Sequence, residues 1–149
     1  MPTPDDTRRL AMEMRRECVA MRVRLLNRRI SRLYDAALRP YGVTTAQLNI
    51  MTALALTGGA RATDIADTLA IEKSTLSRNL ARMVERGWIS AVDEARGTGK
   101  ELQLLAAGRK LFERAIPAWR AAQRQARKEI EPMLLTALDA AGPSSPGGG

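Results

Sequence analysis

The chain has 149 residues, 45% hydrophobic and 27% charged, a composition that suits one folded domain with a real core. No run of about eighteen apolar residues exists, and "MPTPDDTRRLAMEMRRE" has no apolar signal core, so a cytoplasmic protein away from membranes is expected. One cysteine, Cys18, excludes an internal disulfide, and the absence of histidine, Gly-rich phosphate loops, CxxC and GxSxG motifs argues against catalysis, metals and cofactors.

The net charge of +8 invites a nucleic-acid reading, but its placement matters. Residues 1–39 carry ten arginines and five acids, a balance of +5; residues 40–105 carry seven charges of each sign; residues 106–149 contribute +3. Bulk charge therefore supports DNA binding only weakly, and the arrangement of groups on one face has to carry the argument.

Residues 7–39 read as one long helix. Val19, Val23, Leu26, Ile30, Leu33 and Ala37 recur at helical spacing, and Pro40 ends the helix. A second stripe, Leu10, Met14, Cys18, Met21 and Leu25, points roughly 100° away and has no use in a monomer. A partner subunit is its best explanation.

"YGVTTAQLNIMTALALTGG" opens a second helix, with Thr44 as N-cap and Gly58-Gly59 as its end. Thr63 is expected to cap a short helix bearing Ile65, Ala66 and Leu69. Ala70-Ile71-Glu72 is a tight turn, and Glu72 caps a helix from Lys73 to Arg86 that stops at Gly87. Two short helices joined by a brief turn form a helix-turn-helix. "WISAV" and "ELQLL" alternate as strands around "DEARGTGK", which makes a hairpin wing with Trp88 packed under it. From Ala106 the pattern is helical again through Leu111, Phe112, Ile116, Trp119 and Ala122, with a kink expected at Pro117. Pro132 opens a last helix capped by Glu131, and the tail 141–149, rich in Gly, Ser and Pro, is expected to be disordered.

On the Lys73–Arg86 helix, Leu76, Leu80, Met83 and Val84 share the core face, while Ser74, Thr75, Arg78, Arg82 and Glu85 share the other. A solvated face and a DNA-facing one are about equally compatible with that pattern alone. The preceding turn favours the second, because a helix so placed enters a major groove, where hydroxyls and arginines reach base edges. Its N-terminal amides also suit a phosphate. Thr63, Lys73, Ser77, Arg96 and Lys100 complete the candidate DNA-binding set.

"ATDIADTLAIEKSTLSRNLARMVERGWI" resembles the winged helix-turn-helix core of the MarR family of bacterial transcription regulators. "LRPYGVTTAQLNIMTAL" and "AAGRKLFERAIPAWRAAQ" are similar to the family's segments before and after that core, so residues 20–140 or so are covered. The wing departs from the family pattern: Arg96 and Lys100 are its available cations, and Leu105 stands where Thr is usual. The family's Asp–Arg contact at the wing tip does not carry over.

The resemblance implies a mainly α fold with a small β-hairpin wing, in which residues 7–43 and 106–140 form an interleaved homodimer and residues 44–105 form the DNA-binding domain. It further implies a repressor of double-stranded DNA at a near-palindromic operator, released by a small aromatic or anionic effector, with Arg29, Tyr34 and Tyr41 as candidate contacts. Trp119 is a further aromatic for that cleft, although packing is the better explanation of both it and Tyr34. Cys18 has two readings, a small residue on the dimer stripe or an oxidant sensor whose thiolate Arg15, Arg16 and Arg22 would favour. Rival functions are a protein–protein adaptor that binds no DNA and an architectural DNA binder without sequence preference.

Overall fold

Residues 3–93 and 100–130 are described in the computed structural model of the chain. The chain divides into two compact units, Met1–Leu33 and Tyr34–Gly149.

The first unit corrects the single long helix. Helix α1 spans Pro4–Glu17, and α2, Val19–Leu38, starts after a break at Cys18, whose backbone is extended (φ −65°, ψ 105°). Thr3 caps α1 in a capping box with Asp6: the threonine hydroxyl accepts from the Asp6 amide, and the Asp6 carboxylate accepts from the Thr3 amide. These hydrogen bonds hold the Asp6 carboxyl below its ordinary range. A helix break leaves carbonyls without amide partners, and the chain answers locally. The Cys18 amide donates to the Met14 carbonyl at 2.9 Å, and the Arg22 guanidinium donates to the Arg16 carbonyl. Apolar periodicity runs straight through position 18 and hides this break. Along the first stripe, Val19 and Val23 are exposed, Leu26, Ile30, Leu33 and Ala37 are half-buried, and α1 buries none of its residues.

The second unit begins within α2 and holds the core. Pro40 ends α2 as expected, and a 3-10 turn, Arg39–Tyr41, follows, closed by Gly42 in the left-handed region at φ 67°. Helix α3, Thr45–Thr57, starts with a capping box between Thr44 and Gln47 and ends at Gly58, whose φ of 74° only glycine adopts cheaply. A two-residue strand that the sequence reading lacks, β1 (Ala60–Arg61), precedes α4 (Ala62–Leu69) and α5 (Lys73–Glu85). The wing strands are β2 (Ile89–Asp93) and β3 (Lys100–Leu104), and α6 spans Ala106–Glu129 as one helix that includes Pro117. The sheet is antiparallel in the order β1-β3-β2, with Ala60 opposite Leu102 and Ile89 opposite Leu104. The expected wing turn around residues 94–99, the last helix opening at Pro132 and the tail lie outside the described residues.

Leu38, Val43, Ile50, Met51, Leu54, Ile65, Leu76, Met83, Ile89, Leu102, Leu104 and Ala115 form one contiguous core, so the end of α2, the three helices of the reading unit, the sheet and α6 bury one another. The core is apolar except for Gln47, whose side chain is occupied by the Thr44 amide. Among the described residues no buried side-chain nitrogen or oxygen lacks a partner.

Gly108 marks the tightest joint. The Trp88 carbonyl accepts the Leu105 amide at 2.9 Å, which seats the first turn of α6 on the start of the wing. A Cβ at position 108 would fall on that carbonyl and come within 2.8 Å of Leu104 Cδ1. The carbonyl is fixed by its hydrogen bond, so α6 has to shift instead. Gly108→Ala is therefore expected to destabilise by at least the ~1–3 kcal/mol typical of overpacking, seen as a lowered thermal midpoint. An unchanged midpoint would show that α6 moves away freely.

Candidate nucleic-acid interface

Helix α4 starts two residues earlier than expected. Arg61 occupies the N-cap position without a side-chain cap, and Thr63 lies exposed in the first turn rather than capping it. The sequence shows a favourable capping residue, but pairing of Ala60 and Arg61 with β3 sets where the strand stops and the helix begins. Ala70 turns the chain in the left-handed region (φ 49°, ψ 43°), a conformation that costs a residue with a Cβ about 1–2 kcal/mol. The Ile71 amide closes this turn on the Ala66 carbonyl at 3.0 Å. Glu72 then takes the N-cap position of α5, but its side chain makes no cap hydrogen bond, so the expected role survives only for the backbone.

Leu76 and Met83 bury the inner face of α5, at 2% and 0% exposure, and Leu80 packs against the same core. Val84 departs from the expected core face and is 42% exposed, because it lies one residue step round the helix from the Leu76–Leu80–Met83 stripe. Turned outward are Lys73, Ser74, Ser77, Arg78, Arg82 and Glu85, all exposed. Thr75 is half-buried at the edge. Its hydroxyl accepts from Arg78 Nη2 at 3.3 Å, and its carbonyl accepts from Asn79 Nδ2 at 3.0 Å. Arg78 thus folds back along the helix with one long hydrogen bond, which a stronger acceptor would displace at little cost. Lys100, exposed, opens β3 opposite Asp93. Arg96 lies outside the described residues.

Two polar contacts that sequence reasoning missed hold this assembly. Asp35, near the end of α2, accepts from the Thr45 amide at 2.7 Å and from its hydroxyl at 2.6 Å, so a carboxylate from one helix caps the next. Arg86 donates from Nη1 to the Gly42 carbonyl at 2.7 Å, and its guanidinium carbon sits 4.9 Å from the centroid of the Trp88 ring. Arg86 and Gly42 are forty-four positions apart and Asp35 and Thr45 ten, and neither pair leaves a periodic signal in the sequence.

The effector candidates are divided between the units: Arg29 belongs to the first, Tyr34 and Tyr41 to the second. The Tyr34 hydroxyl donates to Gln123 Oε1 on α6, and Tyr41 and Trp119 pack against the core. Cys18, half-buried, stands at the break between α1 and α2. Among the described residues no cluster of side chains suits a metal ion, and no helix is long and apolar enough to cross a membrane.

Two short helices, a left-handed turn, an outward polar face and a hairpin on a three-stranded sheet define a winged helix-turn-helix. The MarR family model matches residues 41–97. No curated protein matches the chain by sequence. Among solved structures, the chain is similar to the Mycobacterium tuberculosis transcriptional regulator MosR in complex with DNA, at 28% identity and a TM-score of 0.74, covering 85% of this chain and 94% of that one. It is also similar to a cysteine-to-serine mutant of Escherichia coli MarR complexed with operator DNA (17% identity, TM-score 0.73, 86% and 93% covered). A third likeness is to Bordetella bronchiseptica BpsR, in a study of how 6-hydroxynicotinic acid regulates its DNA binding (20% identity, TM-score 0.71, 84% and 91% covered). Residues 41–97 thus match the MarR family, and the chain as a whole shares the winged-helix fold of MosR.

Burial raises the Tyr34 phenol above its ordinary value of 10.0, and the positive charge of Arg127 offsets part of that rise. The folded state therefore holds this proton more tightly than the unfolded chain does. The corresponding stability is complete below the unfolded value and is lost as pH rises through the folded one. An ultraviolet difference titration is expected to show Tyr34 ionising above the free-tyrosine range, a step that disappears in Tyr34→Phe. Ionisation within the ordinary range would show that the phenol is open to water.

Proposed function

We propose that the chain binds duplex DNA as a homodimer at a near-palindromic operator and represses transcription there until a small aromatic or anionic effector releases it. The observation that carries this reading is the two-sided character of α5: apolar on the buried side, hydroxyl and guanidinium on the exposed side, directly after the turn at Ala70. MosR and E. coli MarR form complexes with DNA, and 6-hydroxynicotinic acid regulates DNA binding by BpsR. In this reading Arg78 and Arg82 present their forks to base edges or phosphates in the major groove, and Ser74, Thr75 and Ser77 add hydroxyls. Lys73 and Thr63 meet the backbone near the helix N-termini, and Arg96 and Lys100 serve the wing.

The homodimer is supported by apolar side chains left exposed in the first unit, among them Leu10 at 54%, Met14 at 63% and Leu25 at 62%. Residues 7–43 and 106–140 supply this layer, and 44–105 the reading domain. Two-fold symmetry then places half-sites about one helical turn apart.

Arg78→Ala is expected to weaken operator binding by about 1–3 kcal/mol and to relax base preference at one position per half-site, with the fold intact. Arg82→Ala tests a second contact: a loss that is equal on all sequences, with a shallower salt dependence, identifies a phosphate contact. Selection from random duplexes checks the whole reading. No preferred site makes the protein an architectural binder, and no duplex binding at all makes it an adaptor.

Release requires the effector to favour the DNA-incompetent state, and linkage then requires DNA to weaken effector binding by the same factor. Titrating aromatic acids with and without operator is expected to show that difference. Equal affinities rule out release by the ligand tested. A peroxide response that Cys18→Ser abolishes would replace the effector by an oxidant.

A further inference from the structure

We infer that Arg86 is a positioning residue for DNA binding: it latches the turn between α2 and α3 to the junction of the recognition helix with the wing, and so fixes the direction in which α5 is presented. This rests on the DNA reading proposed above. The residue stands immediately after α5, at its C-cap, where its amide donates to the Arg82 carbonyl at 3.1 Å. Its side chain leaves the helix and reaches back forty-four positions to the Gly42 carbonyl at 2.7 Å. On the way its guanidinium lies near the Trp88 ring, 4.9 Å from the centroid, a distance at which a cation is attracted to the aromatic face.

The three anchor points have different owners. Gly42 closes the Arg39–Tyr41 turn and is held in the left-handed region, flanked by buried Leu38 and Val43. Trp88 leads into β2, and its amide donates to the Met83 carbonyl on α5 at 2.9 Å while its carbonyl takes the Leu105 amide that starts α6. One guanidinium therefore ties the exit of α2 to the end of α5 and the root of the wing. The opposite side of the same turn is held by the Asp35 carboxylate on Thr45. With both contacts made, the turn is held against the end of α5 instead of acting as a free swivel.

A lysine cannot replace this group fully, because its ammonium is compact and lacks the planar face that lies against the indole. A charged donor to a carbonyl is also stronger than a neutral one. The position makes the residue distinct from Arg78 and Arg82, which lie on the outward face and have no such tether.

The test compares Arg86→Met and Arg86→Lys with the wild-type full-length chain. Operator affinity is measured across a salt series, and amide hydrogen exchange is followed in the free protein. For Arg86→Met the expected loss is on the order of tenfold, the scale of one hydrogen bond to a charged group, with unchanged salt slope and unchanged ranking of operator sequences. Arg86→Lys, which keeps charge and a donor, is expected to lose less, again at the same slope. In both variants, exchange is expected to rise together at residues 42–45 and 86–89 without DNA present.

A salt slope that falls by about one per site would make Arg86 a phosphate contact and overturn the latch. Full affinity in Arg86→Met, or exchange that rises at one anchor and not the other, would also overturn it. Exchange uses no nucleic acid, so it decides the latch even if the wild-type chain binds no duplex and the DNA reading itself fails. If Arg86→Met does not fold, Arg86→Lys carries both measurements.

Discussion

The burial of Leu76 and Met83 is the constraint on which the rest of the second unit depends. Once those side chains are withdrawn from water, helical geometry leaves only one direction for Ser74, Arg78 and Arg82. Truncating one fully buried Met of this kind costs about 2–5 kcal/mol, far more than an exposed arginine can recover by turning inward. The polar face is thus fixed by apolar packing beneath it. The hydroxyls and guanidinia need no hydrogen-bond network of their own, and they remain available to an external partner.

Polar contacts supply what apolar burial cannot, namely the angles between elements. Asp35 on Thr45, Gln47 on Thr44 and Arg86 on Gly42 all act within ten residues of one turn. Arg109 repeats the device at the base of α6, where Nη1 donates to the Leu104 carbonyl at 2.7 Å. Each joint pairs a charged or amide side chain with a backbone group that a helix or strand terminus leaves open. The winged unit carries no net charge over residues 40–105, and one of its seven basic groups, Arg86, is spent on such a joint instead of on surface attraction.

Much of this was legible in the sequence, for identifiable reasons. Thr44, Gly58, Ala70-Ile71-Glu72 and Gly87 punctuate the chain at nearly the observed boundaries, because caps and left-handed turns are local. The inner face of α5 was legible at Leu76, Leu80 and Met83 because one helix turn repeats it, and the reading failed at Val84, one residue step round the helix from that stripe. The break at Cys18 was hidden by a stripe that continues across it. Strand β1 was hidden by its length, since two residues cannot alternate visibly. At the candidate interface the sequence offered the residue types but not Arg86 or Asp35, whose partners lie on other elements. No short window of sequence contains both Arg86 and Gly42, and for Asp35 and Thr45, only ten apart, the turn between them has to fold before the pairing exists.

Helix α1 has fourteen residues and buries none of them. It holds a capping box, a proline in its first turn and an exposed Arg9–Asp6 pair at 3.9 Å, which water screens. A helix of about this length with local support alone lies near the balance point between helix and coil. Leu10 and Met14 on it are exposed, and covering them would add support that its own sequence does not supply. An association that covers them has to supply the conformational entropy of a whole helix from the same contact, so that gaining a neighbour and gaining a shape become one event.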